Sequence, residues 1–338
     1  MLSQIRPFLA MTVIVVPVVA RAVEEPTKQR IEGAIRKAIP LLEKGARGFA
    51  EQRDCFSCHH QTMPVVALAT ARGRGFEVDT KVIQEQVDHT TADLKKAIES
   101  YRKGSGQGGG VTRAGYALWA LEAGGAKPDE TTAAVAEFLL TRDAKKGYWR
   151  SSSRRPPSEI SHFTATYVAL LGLKAFATPE QGDRAEARVA AAREWLISNR
   201  GDDTEDRVFR LRALKLAGAP AEDVALSARD LLDRQREDGG WGQLDDSTKS
   251  DAYATGSTLV ALHDVGALAA DAPAYRRGLS FLLDDQQADG SWHVATRSRP
   301  FQVYLETGFP HGKDQFISMA ATGWATTALA LACPPVPK

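Results

Sequence analysis

Two kinds of helical segment alternate along the chain. One kind is apolar nearly all round, rich in Ala, Gly, Ser and Thr, and closes on Ala-Leu. It occurs as TMPVVAL at 62–68, GYALWAL at 115–121, TATYVAL at 164–170, VFRLRAL at 208–214, GSTLVAL at 256–262 and GWATTAL at 323–329. Helices apolar on every side are expected to be packed on every side. The other kind is amphipathic and fills the intervals, at 25–45, 79–103, 130–142, 183–199, 221–236 and 272–285. In the first of these, Ile31, Ile35, Ala38, Ile39 and Leu42 recur at helical spacing with charges opposite. The Ala of each Ala-Leu pair falls at 67, 120, 169, 213, 261 and 328, intervals of about 44 to 67 residues that suit two helices and their connections. No segment alternates convincingly with the period of a strand. The pattern predicts an all-α chain of about six helical hairpins.

Three hairpin joints carry a sharper mark. QREDGGW at 235–241 and QQADGSW at 286–292 both spell Q-x3-G-x-W, and DAKKGYW at 143–149 is a partial copy. The glycine is expected to end the outer helix, the glutamine to bond free backbone groups, and the tryptophan to pack across the joint. In these residues the chain resembles the QW repeats of squalene-hopene cyclases and of the prenyltransferase and squalene-cyclase superfamily. The resemblance runs over roughly residues 25 to 332. It implies an α/α toroid, with inner helices inside an outer ring and a central cavity. ETGFPHGKDQ at 306–315 resembles the Gly-Phe-Pro loop near the C-terminus of squalene-hopene cyclases. Its expected role is to tie the last hairpin to the first, the alternative being that Glu306, His311, Lys313 and Asp314 serve the cavity mouth.

Fold does not carry function. Cyclases of this kind protonate an alkene with a DxDD motif. Here the nearest run is Asp202-Asp203-Thr204-Glu205-Asp206, with Arg200 where the first aspartate would stand, and Asp251 is isolated. These acids read as helix N-caps. Aromatic residues, at 7%, are sparse for a cavity that steadies carbocations. The Asp-Cys-His zinc set of prenyltransferase β subunits cannot be placed, because no cysteine lies between Cys58 and Cys333.

Composition adds the setting. The 338 residues are 43% hydrophobic and 25% charged, ordinary for a globular chain, and a net charge of +1 argues against nucleic acid as a partner. Residues 1–22 read as a signal peptide: Arg6, an apolar run over 7–20, then Ala20-Arg21-Ala22 for cleavage. Without Arg6 and Arg21 the chain has 41 basic and 42 acidic residues. The expectation is a toroid over 23–338, exported to a periplasmic or extracellular space, with no stable membrane span after cleavage.

Export changes how RDCFSCHHQ at 53–61 is read, since an oxidising space permits disulfides and covalent haem. Cys55-Phe-Ser-Cys58-His59 matches the CxxCH pattern in which two thiols take up haem c and the histidine reaches the iron. Zinc on these cysteines and one or both histidines, a disulfide or redox CxxC, and free thiols are the alternatives. Counting back eight and seven residues from each Ala-Leu alanine aligns His59 and His60 with Thr112 and Arg113, Ser161 and His162, Glu205 and Asp206, Tyr253 and Ala254, and Ala320 and Ala321. Parallel inner helices would gather all of these at one mouth. His59, His60 and His162 are therefore the expected metal ligands, and Cys55, Cys58 and His59 the expected haem-binding residues. His162, His311 and Met319 are possible sixth ligands; Met63 is badly placed for it. His89, His263 and His293 read as structural or surface residues, and GSGQGGG at 104–110 as a flexible joint.

The leading expectation is an exported haem-c toroid for electron transfer or redox chemistry at the cavity mouth, working with a redox partner protein. The alternatives are a non-catalytic protein binding an apolar molecule or partner, with structural CxxC or zinc, and a terpene cyclase-like enzyme, disfavoured by the missing DxDD.

Overall fold

The computed structural model of the protein describes residues 26–299 and 304–337. The expected signal segment, 1–22, lies outside them. Thirteen α-helices are described: α1 (Lys28–Gln52), α2 (Met63–Gly73), α3 (Thr80–Lys96), α4 (Ile98–Arg102), α5 (Gly110–Ala123), α6 (Glu130–Thr141), α7 (His162–Phe176), α8 (Gly182–Ser198), α9 (Thr204–Leu216), α10 (Ala221–Leu232), α11 (Ala252–Asp264), α12 (Pro273–Asp285) and α13 (Gln315–Leu331). Among the described residues the only β-type pairing is an isolated bridge between Arg155 and Glu159, and no helix is long and apolar enough to cross a membrane.

The Ala-Leu segments are α2, α5, α7, α9, α11 and α13. They touch in that cyclic order and α13 returns to α2, closing an inner ring. The amphipathic segments form the outer layer: α1, α3 with α4, α6, α8, α10 and α12. This is the expected α/α toroid of six hairpins. Small residues let the inner helices approach: a Cβ on Gly256 of α11 would stand 2.8 Å from the backbone of Trp324 and Ala325 in α13. Caps set the helix starts. Thr27 accepts from the Arg30 amide, Ser161 from Thr164, Asp203 from Asp206 and Asp251 from Ala254.

The QW joints work differently from the expectation in one respect. α10 and α12 end before their glycines, so the glycine does not stop the helix. Gly239 and Gly290 sit at φ +86° and +97°, where a Cβ would meet the carbonyl oxygens of Arg277 and Lys37 at 2.4 and 2.6 Å. Each glycine is thus the point where one turn lies on the next outer helix. The glutamines span the same gap. Gln235 Nε2 donates to Gly239 O and to Ala274 O of α12. Gln286 Nε2 donates to Gly290 O and to Ala34 O of α1. The last repeat therefore grips the first helix, and the circle closes.

The tryptophans also repeat. Trp149, Trp241 and Trp292 are buried, and each indole N–H donates to a carbonyl of its own outer helix, Leu139, Leu231 and Leu282. Each tryptophan amide donates to a threonine of the next inner helix, Thr166, Thr255 and Thr322. In the partial copy Arg188 of α8 does the bridging: it donates to the Asp143 and Lys146 carbonyls and stacks 3.9 Å over Trp149.

Candidate metal centre

The CxxCH segment leads into α2 through a π-helical turn, Cys58–Thr62, in which the Met63 amide donates to Cys58 O. Ser57 N donates to Gln61 Oε1 at 2.6 Å, and Thr62 Oγ1 to Tyr116 O of α5 at 2.9 Å, fixing the turn against the ring. Such turns recur at functional sites because the extra residue redirects the side chains at the start of a helix.

Here the redirection separates neighbours. Consecutive helical positions differ by about 100° in direction. His59 and His60, one step apart, accordingly find different neighbours. Glu205 of α9 accepts from Thr164 Oγ1 of α7 at 2.7 Å and from Tyr253 OH of α11 at 3.0 Å, both inside the ring. His59 lies against Cys58 Sγ and meets the Phe316 ring edge-on at 6.1 Å. His60 instead packs between Phe49 and Phe316, with ring centroids 5.1 and 4.9 Å away, and contacts Thr307 Oγ1. Arg113 pairs with Asp93 of α3. His162 accepts from the Ser151 amide at 3.1 Å and lies beside Tyr148. His60 and His162 therefore do not join His59, which corrects the expected ligand set.

The residue that does join is Glu159, from the loop before α7. The ligand atoms of Cys58, His59 and Glu159 all lie within 4.8 Å of one another, and Cys58 Sγ is 3.1 Å from His59 Nδ1. The Glu159 loop lies over the mouth of the ring. Its carboxylate pairs with Arg155, Ser151 Oγ donates to Glu159 O at 2.6 Å, and Ser298 Oγ donates to Pro156 O at 2.7 Å. Sequence spacing did not reveal Glu159, because a residue on an irregular loop has no helical register. Tyr116 was findable: it stands four residues before Ala120, on the same face of α5 as Thr112.

Burial governs the electrostatics. It pushes the Cys58 thiol and the Glu159 carboxyl up, the latter against the pull of Arg155, and drops His59 to about 4. Even with the Arg155 guanidinium beside them, all three are driven towards their neutral forms. A divalent ion placed among them would reverse this for the thiol and the carboxyl, while a neutral imidazole is already a ligand.

Further along the inner helices, four aromatic rings pack on one another across the ring. Trp119 of α5 lies 5.9 Å from Trp324 of α13, with Tyr167 and Phe209 completing the layer. The Arg212 guanidinium stands 4.5 to 5.9 Å from all four ring centres and bonds Asp264 at 3.0 Å. Its Nη1 has no hydrogen-bond acceptor, and the surrounding π faces take that role. The lower half of the ring is thus filled by the protein's own cation and aromatic rings.

The other expected residues are placed as follows. Cys55, half-buried, is a free thiol whose carbonyl accepts from His89 Nε2 at 3.2 Å. His311 contacts Ser291 Oγ at 2.7 Å, His293 pairs with Asp314 at 3.0 Å, and Met319 packs on α1 where Gly45 leaves room. Gln52 of α1 donates to Glu306 O, so the Gly-Phe-Pro loop does tie the last hairpin to the first. Asp203 and Asp251 are N-caps as expected, but Glu205 is not. It is 3% exposed, and burial raises its pKa to about 8 even at a helix N-terminus. The helix dipole contributes only ~0.3–1 kcal/mol there, and desolvation outweighs it.

That acid gives a sign to the pH dependence. Below about 4.5 Glu205 is protonated folded or unfolded; between there and about 8 only the unfolded chain ionises. The wild-type protein should therefore lose stability as pH rises through this window, by up to roughly 4–5 kcal/mol in the ideal limit. Urea midpoints at about pH 5 and about pH 9 should diverge in wild type and converge in Glu205→Gln. An equal slope in both proteins would mean that Glu205 ionises freely.

Comparison with known proteins agrees with this architecture. Residues 207–331, a little over a third of the chain, match the family model of the squalene-hopene cyclase C-terminal domain. No curated protein matches the chain. Among solved structures, the type II terpene cyclase MstE from Scytonema, in its apo form, is similar with a TM-score of 0.58 and 15% identity, covering 91% of this chain and 99% of that one. A single-substitution variant of that cyclase in complex with merosterolic acid A gives 0.57 and 16%, covering 90% and 98%. A wild-type glycosidase gives 0.53 and 12%, covering 90% and 99%. One fold thus serves two chemistries, and the likeness speaks for the fold alone: the chain is an α/α toroid whose α9–α13 portion is similar to the squalene-hopene cyclase C-terminal domain.

Proposed function

We propose that this protein is a metal-dependent α/α toroid, in which Cys58, His59 and Glu159 hold one zinc-type ion at the mouth of the ring. The convergence of thiol, imidazole and carboxylate within 4.8 Å supports this reading. Three protein ligands of mixed S, N and O type leave a fourth position for a small ligand, the pattern of catalytic rather than structural zinc. That position would lie in the neighbourhood of Tyr116 and Tyr253, both of which sense the Cys58 thiol. When bound, the ion would polarise an oxygen or nitrogen of the ligand. The chain's own groups seat that ligand: the tyrosines bound it, the aromatic layer limits its depth, and the Glu159 loop shields it from water. Because Arg212 already occupies the aromatic layer, the ring is suited to a small polar ligand rather than to a carbocation-forming polyprene.

Haem c is the second reading, favoured by the CxxCH spacing. In thioether attachment the Cys58 sulfur belongs to the porphyrin edge while the histidine addresses the iron. Here the sulfur and imidazole approach one point together with a carboxylate, which suits a single ion better.

One preparation separates the two. The full chain, expressed with and without cytochrome maturation, should be colourless and carry about one equivalent of zinc. Cys58→Ser and Glu159→Gln should each lower metal affinity by roughly 10-fold or more. A red protein that retains haem after denaturation would replace this reading with the haem one, and colourless protein without metal would remove both.

A further inference from the structure

Three contacts from α3 hold the segment that carries Cys55 and Cys58. Lys96 Nζ pairs with Asp54 Oδ2 at 2.8 Å and donates to Asp54 O at 3.2 Å. His89 Nε2 donates to Cys55 O at 3.2 Å. Gln86 Oε1 accepts from Gln61 Nε2 at 3.3 Å. Gln61 and Ser57 in turn exchange two bonds. The Gln61 amide donates to Ser57 O at 2.9 Å, and the Ser57 amide to Gln61 Oε1 at 2.6 Å. That exchange fixes the residue directly before Cys58. Gln86, His89, Asp93 and Lys96 follow one another at steps of three and four, so they share one face of α3. Asp93 gives both carboxylate oxygens to Arg113 of α5 at 2.7 Å, which ties this face to the inner ring.

Gln86 is the costly member of the set. It is fully buried, yet its Nε2 has no hydrogen-bond acceptor. A buried amide that leaves a donor unused lowers stability, so an apolar side chain would serve the core better at this position. What the glutamine supplies instead is the oxygen that orients Gln61.

We infer that Gln86 is a positioning residue for the Cys58–His59–Glu159 centre: through Gln61 it sets the π-helical turn on which Cys58 and His59 stand. His89 assists by holding the backbone of Cys55. With leucine at 86, Gln61 loses its support from α3, and the turn is held by its own bonds alone. Metal ligands depend on such outer partners for their orientation.

This inference rests on the metal reading, and cobalt(II) titrated into the full chain tests the two separately. Wild type should show a sulfur-to-cobalt charge-transfer band. In Gln86→Leu the cobalt affinity should fall by roughly 10-fold or more while the urea midpoint stays close to wild type. Gln86→Glu, which keeps an oxygen for Gln61, should restore most of the affinity. A merely structural role would move the urea midpoint and leave the affinity where it is. His89→Leu, at a half-buried position, should weaken cobalt binding in the same direction and serves if the variants at 86 do not fold. Wild-type affinity in Gln86→Leu, or in His89→Leu where only that variant folds, would overturn the positioning role and leave the metal centre standing. So would a loss that glutamate fails to restore, since it would trace to packing. Absence of the band in wild type would remove the metal centre and this inference with it.

Discussion

Alanine in place of Gly290 should destabilise the protein by roughly 2–5 kcal/mol, one of the largest effects available to a single methyl group here. Two costs add. Gly290 stands at φ +97°, where a non-glycine residue is strained, and its new Cβ would lie 2.6 Å from Lys37 O and 2.7 Å from the Lys37 carbonyl carbon. Those atoms belong to the backbone of α1 and cannot rotate away. The contact is also the seam of the ring: Gln286 donates from this turn to Ala34 O, so pushing the turn outward breaks the bond joining the sixth hairpin to the first. Gly218, at φ +67° with open space around it, is the control; alanine there should cost only the backbone term, ~1–2 kcal/mol. Urea unfolding of the two variants measures the difference. Equal losses would show that the seam bears no special stress.

The second large effect is expected at Arg212. Its removal leaves a void among Trp119, Tyr167, Phe209 and Trp324 and strips Asp264 of its partner. Arg212→Ala should cost about 3–5 kcal/mol, combining a large-to-small cavity with a broken ion pair. Arg212→Met separates the contributions by keeping most of the volume without the charge. If the guanidinium acts through the π faces, methionine should recover only part of the loss, leaving ~1–2 kcal/mol unrecovered. Full recovery in urea titrations would reduce the interaction to packing. Fluorescence of Trp119 and Trp324 should change in both variants, since the cation sits over their rings.

The periodicity of the chain carried most of the fold. An Ala-Leu segment such as GSTLVAL has no polar face to show to water, so it must lie inside, and an amphipathic segment such as 25–45 must lie outside it. The Q-x3-G-x-W joints marked three hairpins, and their resemblance to QW repeats implied a ring. What they could not show is how the glycine is used. Helix-stopping glycines and close-approach glycines look alike in sequence, and only the position of Lys37 O against Gly290 tells them apart.

The site was legible only in part. The eight-residue offset grouped His59, Glu205 and Tyr253, and a hydrogen bond joins the last two. The next offset groups residues with different neighbours. A step of one residue turns a side chain by about 100°, which sends His60 to Phe49 and His162 to Tyr148.

Sequence alone therefore determined which helices are inner and outer, that six hairpins make a closed circle, and that Cys58 and His59 stand at the start of an inner helix. Only the tertiary structure decided that Glu159 comes within 4.8 Å of Cys58 and His59, that Glu205 is an interior acid instead of a cap, and that Arg212 stands among four aromatic rings. Helix period is a local property, written in the spacing of residues along the chain. The approach of a loop, the loss of solvent around a carboxyl and the stacking of a cation depend on groups far apart in sequence, and no spacing records them.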